Sequence, residues 1–198
     1  MNKSNDLANE YKVKFKETII ERIPEDFERG DDLVKAISEF LLKECFLLKH
    51  DINERSITHK LAECIQKYFS DYNVDCEYNR MPDKSNNNDE ADIKFDIKKL
   101  NLCVSETSSD DDKGTTVYPD IIIHKRGSNK SNLIVIEAKK EANVTKKSKE
   151  FDFRKLKAFT KSDGLGYKYG IYLELNKNNN HGLKELKFFR NDAEYNEV

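Results

Sequence analysis

The chain has 198 residues, 35 Lys and Arg against 37 Asp and Glu, a net charge of −2 and 37% hydrophobic residues. That length suffices for one globular domain with its own core, and the near-neutral balance excludes a global basic field, so any nucleic-acid affinity must come from a local patch. The opening MNKSNDLANEYKVK lacks the apolar centre of a signal peptide, and no run approaches the roughly 18 apolar residues that span a bilayer. Cys45, Cys64, Cys76 and Cys103 show neither C-x-x-C nor Cys/His ligand spacing. They read as reduced packing residues of a cytoplasmic protein.

Residues 7–22 carry the weak periodicity of a helix that Pro24 stops. After Gly30, Asp31 and Asp32 offer capping oxygens to DLVKAISEFLLKECFLL, a helix ending near His50. Leu33, Ile37, Phe40, Leu41 and Leu48 mark its apolar face, with Glu44 as the polar exception. Residues 1–50 thus read as an N-terminal helical segment ahead of a domain over 51–198. Ser56 opens the next helix, SITHKLAECIQKYF, in which Ile57, Leu61, Cys64, Ile65 and Tyr68 form one stripe while His59, Glu63 and Gln66 lie opposite. NVDCEYN alternates as a strand does, with Val74, Cys76 and Tyr78 on one face and Asp75, Glu77 and Asn79 on the other.

Residues 81–116 form a polar insertion, with nine acids against five Lys over 83–113; within it IKFDIKKLNLCV offers a strand pair. Two apolar strands follow, 117–124 and 132–138. A helix over 149–160 packs through Phe153, Leu156 and Phe159. GYKYGIYLEL and LKELKFFR supply two further strands.

The stretch VYPDIIIHKRGSNKSNLIVIEAKK concentrates the chemistry. Its polar turn centres on Ser128 and Asn129, with Gly127 available for a positive φ. With those two residues at the tip, Asp120 opposes Glu137, and period-two alternation puts Lys139 on the same face. Ile121, Ile123, Ile134, Ile136 and Ala138 fall on the other, apolar face. Two carboxylates and an ammonium then share one rim. Adjacent carboxylates repel unless a cation stands between them, and hard oxygen ligands suit Mg²⁺ or Mn²⁺. The plain alternative is a strand pair whose charged ends meet water, with Asp120 as a turn residue after Pro119.

Pro119-Asp120, an apolar strand, then Glu137-Ala138-Lys139 resembles the signature of the PD-(D/E)XK nuclease superfamily, the restriction-endonuclease-like fold. The order of elements over about residues 55–175 is similar to that family's α-β-β-β-α-β core, which implies an α/β (α+β mixed) fold with a central mixed sheet flanked by helices and extra N-terminal helices. By position, the resemblance implies Asp120 and Glu137 as metal ligands and Lys139 as the catalytic lysine. It also implies a supporting acid from the first core helix or its neighbour: Glu63 or Glu77, with His59 lining the same cleft.

From Lys139 to Lys161 nine Lys or Arg stand against three acids. Lys140, Lys146, Lys147, Arg154 and Lys155 are therefore candidate nucleic-acid contacts; the alternative is a solvated helix face. The expectation is a soluble, Mg²⁺-dependent (or Mn²⁺-dependent) deoxyribonuclease, with DNA favoured over RNA as partner and no membrane. Its rival is an inactive module of the same fold that binds nucleic acid or a partner protein. A homodimer or a partner subunit fits either.

Overall fold

The computed structural model describes residues 23–82, 95–97, 99–100, 115–162, 164–177 and 182–195. The helix expected over 7–22, Cys103 and most of the polar insertion lie outside them.

Helix α1 (Gly30–Lys43) buries Leu33, Val34, Ala36, Ile37, Phe40 and Leu41. Its start differs from expectation. Arg29 takes the N-cap in the left-handed region (φ 65°), with no side-chain cap. Asp31 and Asp32 sit inside the first turn, where acids complement the helix dipole, and Asp32 pairs with Arg29. The polar exception, Glu44, is where the expected single helix breaks before the short α2 (Cys45–Lys49). Helix α3 (Glu54–Tyr68) begins two residues before Ser56. Asn53 caps it, its side chain accepting from the Ser56 N–H at 2.8 Å.

Strand β1 (Asn73–Cys76) is ended by Glu77, whose φ of 50° turns the chain. Val74 and Cys76 consequently pack into one core and Tyr78 into the other, where strict alternation would have kept the three together. Two small ladders follow. One joins β2 (Arg80–Pro82) to β3 (Phe95–Ile97), the other β4 (Lys99–Leu100) to β5 (Thr115–Thr116).

Strands β6 (Ile121–His124) and β7 (Ile134–Lys140) form the central hairpin, with Gly127 at φ 79° in its connection. Helix α4 (Lys146–Thr160) opens with a capping box in which Thr145 and Ser148 satisfy each other's backbone N–H. Strands β8 (Tyr169–Leu175), β9 (Leu183–Arg190) and the unanticipated β10 (Ala193–Tyr195) complete the chain.

The fold is mixed α+β. Six strands run in the order β1-β6-β7-β8-β9-β10, with only β7 and β8 parallel. Parallel neighbours need a crossover, and α4 supplies it. From α3 to β8 the order, setting aside the two small ladders, is α-β-β-β-α-β.

Each face of the sheet has its own core. Ile121, Ile123, Ile134, Ile136 and Ala138 meet α1 and α3, so residues 23–50 pack into the same core as the sheet. Ile122, Val135, Tyr172 and Phe189 meet Leu156 and Phe159 of α4. Burial on both faces explains why the hairpin strands are nearly unbroken apolar runs. Gly170 on β8 allows α4 its close approach: a Cβ there would lie 3.3 Å from side-chain carbons of Leu156, Thr160 and Phe189. Among the described residues no helix is long and apolar enough to cross a membrane.

Candidate active site at the end of the central hairpin

The register of the hairpin is Ile121↔Ile136, Ile122↔Val135 and Ile123↔Ile134, as counted from a Ser128-Asn129 tip. One step further, Asp120 stands opposite the Glu137 position. Its Oδ2 accepts from the Ala138 N–H at 2.9 Å, and the Lys139 ammonium lies 3.5 Å from the same oxygen. Asp120, Glu137 and Lys139 are thus brought together. The expected open rim is not what surrounds them. Helix α4 lies over this face, and Glu137 is fully buried.

Three further residues complete the cluster. Glu54, the first residue of α3, lies 3.2 Å from the Lys139 ammonium and accepts from the Lys140 N–H at 3.2 Å. Asp152 on α4 approaches Lys139 to 4.0 Å. Lys155, one turn on, places its ammonium 2.7 Å from Glu137 Oε2 and 3.7 Å from Asp152 Oδ1.

The sequence held signals for all three. Asn53 followed by Ser56 marks a cap that puts Glu54 in the first turn of the helix. Asp152 and Lys155 each fall four residues before a buried apolar residue, Leu156 and Phe159 respectively, so both belong to the inward face of α4.

The other sequence candidates lie elsewhere. Glu63 and His59 are exposed and pair at 3.1 Å, with Lys60 at 2.8 Å from Glu63; helical spacing sets them on the wet side of α3, away from Asp120. Gln66, opposite the stripe with them, is spent on the backbone of Phe69, Tyr72 and Val74. The Glu77 carboxylate turns outward to Arg55 at 2.9 Å because its own φ is positive. Its backbone N–H, however, reaches the carbonyls of Pro119 and Asp120, so Glu77 holds the Asp120 segment without lending its acid.

The basic stretch divides. Lys140 alternates to the opposite side of β7 and binds Asp51 at 2.7 Å and the Ile52 carbonyl at 3.0 Å. Lys155 is buried in the cluster. Lys146, Lys147 and Arg154 remain exposed.

The electrostatics are those of an unbalanced pocket. Burial, reinforced by Asp120, pushes the Glu137 carboxyl up to about 8, against the pull of Lys155. Burial likewise raises Asp120 and Asp152, although Lys139 opposes it in both. Burial works against the Lys139 ammonium, but Asp120, Asp152, Glu137 and Glu54 together outweigh it and hold the proton more firmly than usual. Lys139 is therefore a committed cation and a hydrogen-bond donor.

The donor set suits a hard divalent cation. Four carboxylates (Glu54, Asp120, Glu137, Asp152) share the cluster with two ammonium groups (Lys139, Lys155), a formal deficit of two positive charges. Glu137 Oε1 and Asp152 Oδ2 are buried with no hydrogen-bond partner among the described residues. Glu137 Oε2 meets Lys155 as a charge contact only, outside hydrogen-bond alignment. Among the described residues no three His, Cys, Asp or Glu side chains form a ready-made cage; the two ammonium groups stand between the carboxylates instead. Mg²⁺ commonly takes one or two carboxylates and keeps its waters, and Asp120 and Glu137 are the two carboxylates contributed by the hairpin.

Comparison with family models, curated proteins and solved structures finds no match to this chain.

Proposed function

We propose that the protein is a Mg²⁺- or Mn²⁺-dependent nuclease of the PD-(D/E)XK type that hydrolyses phosphodiester bonds of DNA. The observation that carries this reading is the meeting of Asp120, Glu137 and Lys139 with Glu54, an acid from the first core helix, at the end of the hairpin. Asp120 and Glu137 would hold the metal. When bound, it would lower the pKa of a water and offset charge on a backbone phosphate. The Ala138 N–H fixes the Asp120 carboxylate. Glu54 and Asp120 restrain the Lys139 ammonium and keep it charged, which suits a donor to a phosphate oxygen as negative charge develops there. Lys146 and Lys147, exposed at the start of α4, would supply contacts to the phosphate backbone.

The test is nicking of supercoiled plasmid and cleavage of single strands in Mg²⁺ or Mn²⁺. Asp120→Ala and Lys139→Ala should each lower the rate by about 10² to 10³. Equal rates in wild type and both variants would place the activity elsewhere.

Lys155 against Glu137 favours a second reading, a silenced module of the same fold that binds nucleic acid or a partner protein. Calorimetric titration with Mn²⁺ separates the two, because a folded protein that takes up no metal at millimolar concentration cannot work by the first.

A further inference from the structure

Lys155 has no part in the chemistry assigned above, yet it occupies the centre of the carboxylate cluster. Its ammonium is the one cation touching Glu137 among the described residues. It also spans to Asp152 at 3.7 Å, beyond hydrogen-bond length. The carboxylates it serves are poorly satisfied: Glu137 Oε1 and Asp152 Oδ2 lack any hydrogen-bond partner among the described residues, and both side chains are more than nine-tenths buried.

Removing a carboxylate from water is costly unless good geometry repays it, and here one ammonium, at 2.7 Å from Glu137 and 3.7 Å from Asp152, serves two buried acids and leaves an oxygen of each without a hydrogen-bond partner among the described residues. Lys139 differs. Three carboxylates surround it, at 3.2, 3.5 and 4.0 Å, so it has no reason to leave. Lys155 has somewhere to go. Its ammonium already lies 6.0 Å from the centre of the Phe151 ring, one turn back on α4, a distance at which a ring face attracts a cation. A lysine on a flexible four-carbon stem can make that swing without moving the helix.

We propose that Lys155 is an internal counter-cation, which holds the place of a divalent metal ion at Glu137 and Asp152 and yields to it when the metal binds. Asp152 then becomes part of the metal's surroundings, and metal uptake is a cation exchange that moves Lys155 toward Phe151. This rests on the reading of the cluster as a metal site, but its test does not use nuclease activity.

The experiment is calorimetric titration of wild type, Lys155→Met and Lys155→Arg with Mn²⁺, with thermal melts in the absence and presence of the metal. Deleting a competing charge this close should tighten Mn²⁺ binding about tenfold in Lys155→Met. That variant should melt lower than wild type without metal and regain the difference with it. Lys155→Arg, with the charge kept in a broader head, should bind no tighter than wild type. Unchanged or weaker binding by Lys155→Met, with wild type binding normally, overturns the exchange and leaves the metal site standing. Binding by neither overturns both. Binding by Lys155→Met alone overturns the exchange, since Lys155 then never yields in the wild type, and assigns the wild type to the silenced reading. Should Lys155→Met fail to fold, acetylation of wild-type lysines read by mass spectrometry replaces it. Lys155 should label faster with Mn²⁺ present, and an unchanged rate would overturn the exchange.

Discussion

Glu137 and Glu174 are both fully closed to water and lie on the α4-facing side of neighbouring strands, where Lys139 on β7 is paired in register with Glu174 on β8. Their fates differ. Burial works against the Glu174 charge, yet Lys184 at 2.8 Å and Lys149 at 3.1 Å outweigh it and hold the carboxyl below its ordinary range. The Tyr172 hydroxyl adds a hydrogen bond at 3.2 Å. Glu137 has one ammonium and a second carboxylate pressing on it, and is pushed up to about 8. Asp75, on β1 beside β6 of the hairpin, behaves like Glu174: His124 and Arg126 overcome its burial and leave it strongly acidic. A carboxylate whose charge is matched on folding explains itself as an anchor. One that folding leaves mismatched weakens the protein and marks where a ligand supplying the missing charge would restore stability.

On the proposed nuclease reading, the largest expected difference between the two acids is in catalysis. Glu137→Gln keeps the shape and removes the charge, and should lower metal-dependent plasmid cleavage by about 10² to 10³. Glu174→Gln should stay within a few fold, because the Glu174 carboxylate is held by Lys149, Lys184 and the Tyr172 hydroxyl and makes no ion pair with Lys139. Comparable losses in initial rate would erase the distinction.

Next in size is the opposite pH dependence of the two in metal-free protein. The folded pKa of Glu137 lies above its ordinary 4.5. The folded state therefore keeps a proton that the unfolded chain has lost, and stability falls as pH rises from about 4.5 to about 8. At roughly 1.4 kcal/mol per pH unit, Glu137→Gln should gain a few kcal/mol at pH 8.5 and almost nothing at pH 4. Glu174 has the reverse sign. Its contribution is complete above the ordinary carboxylate range and is lost as pH falls through its depressed value, so Glu174→Gln should weaken the protein at pH 7. Urea unfolding at pH 5, 7 and 8.5 checks both slopes.

The hairpin was legible because its information is local. A polar connection around Gly127 separates two apolar runs, and counting outward from its middle gives the observed Ile121↔Ile136 register, so Asp120, Glu137 and Lys139 could be placed although the connection is longer than a two-residue turn. The roof over them could not. Whether a polar strand face meets water or a helix depends on α4 packing against Gly170 and Phe189, contacts made across the parallel crossover. Glu54 was missed for a narrower reason. A helix that starts at Ser56 leaves Glu54 in the loop, whereas Asn53 as cap brings it into the first turn. Glu63, at the correct helical phase for a wet face, drew attention because periodicity reports which side of a helix is polar and says nothing about which polar side meets the sheet. The break of α1 at Glu44 and the turn at Glu77 depend on backbone angles that composition does not announce.

The Asn53 cap offers a smaller test of the site's geometry. Asn53→Ala should cost about 1 kcal/mol of stability. By loosening the first turn of α3 it should also free Glu54 from Lys139 and from the Lys140 N–H. Weaker Mn²⁺ binding than in a surface variant of equal stability would assign Glu54 a place at the metal; equal binding would confine it to steadying Lys139.

The smallest effect belongs to Glu39, which sharpens the comparison because it is an anchor near the surface. Its carboxylate accepts from Lys43 at 2.9 Å and from Lys67 and the Tyr68 hydroxyl at 2.7 Å each, tying α1 to the end of α3. These hydrogen bonds lower its pKa to about 2. The contribution is present above the ordinary value of 4.5 and disappears as pH falls toward 2. Solvent screening limits it to about 0.5–1 kcal/mol at pH 7. Glu39→Gln should lose that amount at neutral pH, converge on wild type in acid, and leave metal binding unchanged. The stability profile of the metal-free protein should then fall at both ends for separable reasons: Glu39→Gln lowers the plateau from which the acid limb descends, and Glu137→Gln alone lifts the alkaline limb. If Glu39→Gln also altered the alkaline limb, the carboxylate cluster and the α1–α3 contact would be coupled through the shared core, and the contrast between anchors and the mismatched site would be one of degree.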